Sequence, residues 1–125
     1  MTLRTPMMGH PMARDMARLV AGVWAFFWTW FGMASGIAEG MSIPGTLAHM
    51  VPGLAFTALV AVSFRHEMVG GLVLMLASFL IFVYYPFWFA GQSAAGVVVA
   101  TSLLLGLPPL VAGMLFVMHH GADHR

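Results

Sequence analysis

Four long apolar runs follow one another along the chain, with short polar breaks between them and hardly a charge inside them. Each run is close to the roughly 20 residues that a helix needs to cross about 30 Å of hydrocarbon. A chain patterned this way has lipid as its solvent, and lipid admits few folds. Backbone N–H and C=O groups in hydrocarbon must be satisfied inside the chain, which leaves helices and closed barrels. The runs lack the two-residue alternation of membrane barrel strands, so they are predicted to be helices. The spacing predicts spans over 16–36, 47–64, 68–90 and 94–118, with polar tails at 1–15 and 119–125. The 125 residues then form one all-α integral membrane domain, an up-down four-helix transmembrane bundle.

Composition narrows the function classes. Hydrophobic residues make up 61% of the chain and charged residues 7%, which leaves no segment for a soluble domain. The absence of cysteine excludes a disulfide framework, thiolate metal sites and a cysteine nucleophile. A net charge of +1, carried by Arg without Lys, offers no basic face to nucleic acid. Residues 1–15 are polar and broken by proline, and the apolar run after them exceeds a signal-peptide core, so the first helix is expected to be retained.

Positive charge near span ends sets orientation. Arg4, Arg14 and Arg18 precede the first span, Arg65 lies between the second and third, and Arg125 ends the chain. The break at 37–46 carries Glu39 and no Arg, and the break at 91–93 carries no charge. All the arginines share one side if both termini are cytoplasmic, the orientation expected in a cell inner membrane. The breaks at 65–67 and 91–93 are short enough to force antiparallel neighbours. Tyr84, Tyr85 and Trp88 cluster at the far end of the third span, as an interfacial aromatic belt does.

His49-Met50-Val51-Pro52, an apolar stretch, and then Phe64-Arg65-His66-Glu67-Met68-Val69-Gly70-Gly71 form a pattern of HxxP followed by a basic residue, x, E, two residues and GG. This string resembles an uncharacterised family of small prokaryotic four-helix integral membrane proteins. The likeness covers roughly 47–81, with the N-terminal leader and C-terminal tail outside it. His66 stands where that family usually has an aromatic. The resemblance implies a four-helix membrane fold and no activity.

Several residues invite a functional reading. His49, with Pro52 one turn further in, is a polar candidate for a proton relay or ligand contact, or else a neutral histidine at headgroup level. Arg65 and Glu67 are read as pairing across the turn or capping helix ends, with Glu67 favoured at a helix N-terminus. Gly32, Gly36, Gly70 and Gly71 permit close helix approach and are candidates for partner or helix packing. Trp24, Trp28 and Phe31 form an aromatic stripe that suits lipid, core, a partner helix, a quinone or a pigment. Pro108-Pro109 should break the backbone ladder of the fourth span near Leu104 and Leu105. Met7, Met8, His10 and Met12 before the first span, and His119, His120 and His124 after the fourth, have donor types that suit copper or zinc.

The expected function is a non-catalytic accessory or structural subunit of a larger membrane complex, or a homo-oligomer packed through small-residue and aromatic faces. The partners are then the lipid bilayer and other membrane proteins. An oligomeric transporter or channel is the alternative, and a copper, zinc or haem binder using terminal His and Met is the third. No cofactor is required by the sequence; bound lipid, pigment or quinone stays open. An enzyme is not expected, because no paired carboxylates, Ser/His/Asp set or HExxH occurs at recognisable spacing.

Overall fold

The structure, a computed structural model, describes residues 10–125, with the backbone alone for His10. It is all-α: α1 spans His10–Ala38, α2 Ile43–Arg65, α3 Glu67–Phe89 and α4 Ala95–Asp123. All four helices are long and apolar enough to cross a membrane.

α1, α2 and α4 are longer than the apolar runs that predicted them, while α3 matches its run to within one residue. Residues 10–15 and 119–123, read from sequence as tails, are helical, so His119 and His120 stand on α4. At 29 residues, α1 is roughly 44 Å long at 1.5 Å per residue, well beyond the hydrocarbon thickness. Hydropathy marks the part that needs lipid, whereas backbone hydrogen bonding continues into polar sequence. Breaks between helices have local causes. After α1, Gly40 takes φ +67, and Gly40 N–H and Met41 N–H bond back to Ile37 and Gly36 carbonyls at 3.0 Å each. That paired closure is a Schellman cap and needs the left-handed residue. Ser42 then caps α2, its hydroxyl accepting from Gly45 N–H, with Pro44 in the first turn where no donor is needed. Gly91, at φ +82, turns the chain between α3 and α4.

α1 packs on α2 and α4, and α3 on the same two helices, so the four close into an antiparallel ring. The core is narrow. Ala17, Ala21, Trp24 and Ala25 of α1 meet Val60, Leu74, Ala112 and Phe116. Backbones come close where side chains vanish. A Cβ on Gly32 would lie 2.6 Å from the His49 carbonyl oxygen, and one on Gly36 2.9 Å from Cα of Thr46. The glycine stripe of α1 is therefore spent on α2 of the same chain and does not face outward to a partner. Gly70 lies against Ser63, and Gly71 faces Gly113 across the α3–α4 contact. The outer surface carries large apolar groups, including Phe26, Ile43 and Phe87 at 72%, 80% and 78% exposure. Such an exterior suits lipid and not water.

Pro109 lacks the N–H that would bond to the Leu105 carbonyl one turn earlier. Trp24 fills the vacancy from α1, its indole N–H donating to that oxygen at 3.1 Å. Of the two carbonyls freed by Pro108-Pro109, that of Leu105 is thus satisfied across the bundle, and α4 continues through both prolines. The neighbouring Trp28 differs: its indole N–H is buried and finds no acceptor among the described residues. Trp24→Phe should therefore cost about 1–2 kcal/mol by stranding a buried carbonyl, while Trp28→Phe removes an unpaired donor and should be nearly neutral. Melting of both variants in the same detergent checks this, and equal losses would refute the assignment.

Candidate functional site

Polar groups gather at one end of the bundle because of helical phase. On α1, Arg14 and Arg18 continue the buried stripe of Ala17, Ala21 and Ala25. On α3, Glu67 lies in phase with buried Gly70, Gly71, Leu74 and Ser78. On α4, His119 continues the buried Ala112 and Phe116. An antiparallel ring puts the start of α1, the α2–α3 turn and the end of α4 together, so side chains in phase with the core must meet there.

Glu67 is the centre of this cluster. Its Oε2 lies 2.7 Å from His119 Nδ1. Its Oε1 lies 3.7 Å from Arg14 Nε and 3.9 Å from Arg18 Nη2. Those two separations are ion-pair contacts too long for hydrogen bonds. The His119 contact, with side-chain exposures of 8% and 17%, is short and shielded. Arg18 spends another N–H on the Phe64 carbonyl at 3.3 Å, and its guanidinium stands 5.5 Å from the Phe64 ring centroid. One carboxylate, opening α3 where the helix dipole favours negative charge, thereby ties α1, α3 and α4 together.

Other sequence candidates fall elsewhere. Arg65 does not pair with Glu67; it is exposed and makes no ion pair among the described residues. Glu67 instead follows the core phase of α3, towards Arg14, Arg18 and His119. The side chain of His49 is exposed on α2, and its carbonyl faces Gly32. Pro52 sits within α2 beside Gly53, which is buried against α1. His120 and His124 stack with ring centroids 4.2 Å apart. Among the described residues no three His, Cys, Asp or Glu side chains stand close enough to hold a metal. His119 is engaged by Glu67 instead, while Met7, Met8 and the side chain of His10 lie outside the described residues. The residues that sequence reasoning missed are Arg14 and Arg18 as partners of Glu67. Their phase with the alanine stripe was the available signal.

The cluster and the fold that builds it lie inside one family domain. A domain of unknown function, DUF7670, matches residues 4–125. The chain belongs to the DUF7670 family. The match runs well beyond the 47–81 stretch that carries the sequence resemblance, and takes in the leader from residue 4 and the tail to residue 125. Arg14, Arg18, Glu67 and His119 all fall within that domain. No curated protein and no solved structure matches the chain.

Proposed function

We propose that this DUF7670 protein is a multi-pass integral membrane protein with cytoplasmic termini, acting as a non-catalytic subunit that packs against other membrane helices. The supporting observation is an apolar groove of about 390 Å³ between α1 and α4, lined by Leu19, Val23, Trp24, Trp28, Leu104 and Pro108 among others. It runs for about two and a half turns along α1. Lipid chains fill such a groove poorly compared with a rigid helix bearing matching side chains, since helix association in membranes rests on close packing. The glycine faces being consumed inside the chain, this groove, with a similar apolar one of about 380 Å³ between α1 and α2, is the concave apolar surface open to a neighbour. The orientation rests on Arg14, Arg18 and Arg65 sharing the end at which α1 starts and α4 finishes.

A transport role draws less support. The bundle interior is filled by Phe116, Leu74 and small apolar residues, and Ser63, Ser78 and Ser102 there donate to backbone carbonyls. Among the described residues the charged groups collect at one end, apart from the exposed Glu39 at the other.

Native mass spectrometry after mild detergent extraction tests the subunit reading. The protein should appear in a stoichiometric complex, either with another membrane protein or with further copies of itself. Val23→Trp, which fills the groove, should release it from that complex. Val51→Trp, at an equally exposed position on α2, should not; Val23 and Val51 are 59% and 58% exposed. A lone wild-type monomer would overturn the proposal.

A further inference from the structure

A second concave surface lies at the charged end, a cleft of about 500 Å³ between the start of α1, the α2–α3 turn and the end of α4. Its chemistry is two-sided. Arg14, Arg18 and Arg65 line it with Glu67 the sole carboxylate, and Phe64, Met68 and Val69 line it too. Glu67 is already engaged on both oxygens, with His119 on one and the two α1 arginines at ion-pair distance on the other. Three guanidiniums against one carboxylate leave a surplus of two positive charges on the cleft wall, before any contribution from His66 or His120. Asp15 and Asp123 belong to the same end of the bundle but do not line the cleft.

The donors are also under-used. Each guanidinium offers five N–H groups. Nε of Arg14 and Nε of Arg18 are buried, so the N–H groups open to a ligand are the outer ones of these half-exposed guanidiniums and those of Arg65, which is exposed and has no ion pair among the described residues. Beside this charge, Phe64, Met68 and Val69 are 39%, 39% and 57% exposed and begin the apolar flank of α2 and α3. A ligand matching both halves carries a phosphate with net negative charge and an adjoining hydrocarbon chain. Guanidinium recognises phosphate oxygens through its fork of donors. With the four helices laid across a bilayer, this polar end of the bundle falls at the level of the lipid phosphates.

We infer that this cleft is a binding site for the phosphate headgroup of an anionic phospholipid, with Arg14, Arg18 and Arg65 on the phosphate and Phe64, Met68 and Val69 along the acyl chain. The inference rests on residence in a membrane but not on the groove or its partner. Phosphate is equally the recognition element of soluble phosphoesters, so the test separates the two sources.

Delipidated full-length protein in detergent is offered phosphatidylglycerol or phosphatidylcholine, and native mass spectra are recorded as collision energy rises. One phosphatidylglycerol per chain should survive energies that strip phosphatidylcholine. Arg65→Gln, which breaks no side-chain hydrogen bond or ion pair among the described residues, should weaken retention about fivefold, the effect of one cation near an anionic lipid. Arg125→Gln, at the same end but not on the cleft wall, should leave retention unchanged. Equal retention of the two lipids, or equal effects of the two substitutions, overturns the inference. Displacement of the lipid by micromolar glycerol 3-phosphate also overturns it, in favour of a soluble phosphoester. The same spectra report oligomer mass independently of bound lipid, so a failed lipid site and a failed subunit reading are distinguishable.

Discussion

Gly53→Ala is expected to destabilise the bundle by about 2 kcal/mol or more, although alanine is the better helix former. The added Cβ would lie 2.5 Å from both N and Cα of Thr29 and 2.7 Å from the Trp28 carbonyl carbon. All three are backbone atoms of α1, so no rotamer change relieves the clash and the helices must separate. Overpacking of a tight core costs typically 1–3 kcal/mol and occasionally more, against roughly 1 kcal/mol gained from helix propensity. Separation would also stretch the Thr29–Thr57 hydroxyl contact, 3.2 Å between the same two helices. Gly22→Ala and Gly96→Ala are the controls, since a Cβ there meets nothing within 4 Å. These should gain up to about 1 kcal/mol, and the sign reversal is the diagnostic result. Gly106→Ala should fall between, because its Cβ meets the Phe82 ring at 2.7 Å, and a ring can shift where a backbone cannot. Melting the four variants in one detergent decides the matter. A stabilised Gly53→Ala would mean that α1 and α2 do not meet as described.

What the sequence made legible follows from which signals are local. The four helices were readable because lipid solvation imposes continuous apolar runs, and their antiparallel order followed from breaks as short as 65–67. The repair of Leu105 by Trp24 was half readable: the prolines announced a vacant carbonyl, but a donor 81 positions away in sequence depends on α4 closing against α1. The glycines show the same boundary. Spacing marked Gly32 and Gly36 as a close-approach face, yet spacing alone does not say whether the approaching helix belongs to the same chain. Glu67 was singled out with Arg65 as its neighbour in sequence, while the fold gives it Arg14, Arg18 and His119. Placing each charge on the helical phase of its own span, and then overlaying the spans antiparallel, would have found that set without coordinates.

The second large effect concerns that set. Glu67→Ala should cost about 2–3 kcal/mol, and the loss should come chiefly through His119. A hydrogen bond to a charged group contributes about 1.5–3 kcal/mol when shielded from water. The 2.7 Å contact with His119, itself 8% exposed at the side chain, meets that condition. The arginines do not. They stand 3.7 and 3.9 Å away with side chains 43% and 35% exposed, where solvent screening holds a pair to about 0–1 kcal/mol. Double-mutant cycles in melting experiments separate the terms. Glu67→Ala with His119→Ala should show a coupling of about 1–2 kcal/mol, and Glu67→Ala with Arg14→Gln about 0.5 kcal/mol or less. The Arg14 term should shrink further as ionic strength rises towards about 1 M, where the Debye length falls from about 10 Å to about 3 Å, below the 3.7 Å separation. Coupling to Arg14 that equals or exceeds coupling to His119 would reverse the assignment and make the guanidiniums the clamp. It would also weaken the lipid site, since arginines already committed to Glu67 have little charge left for a phosphate.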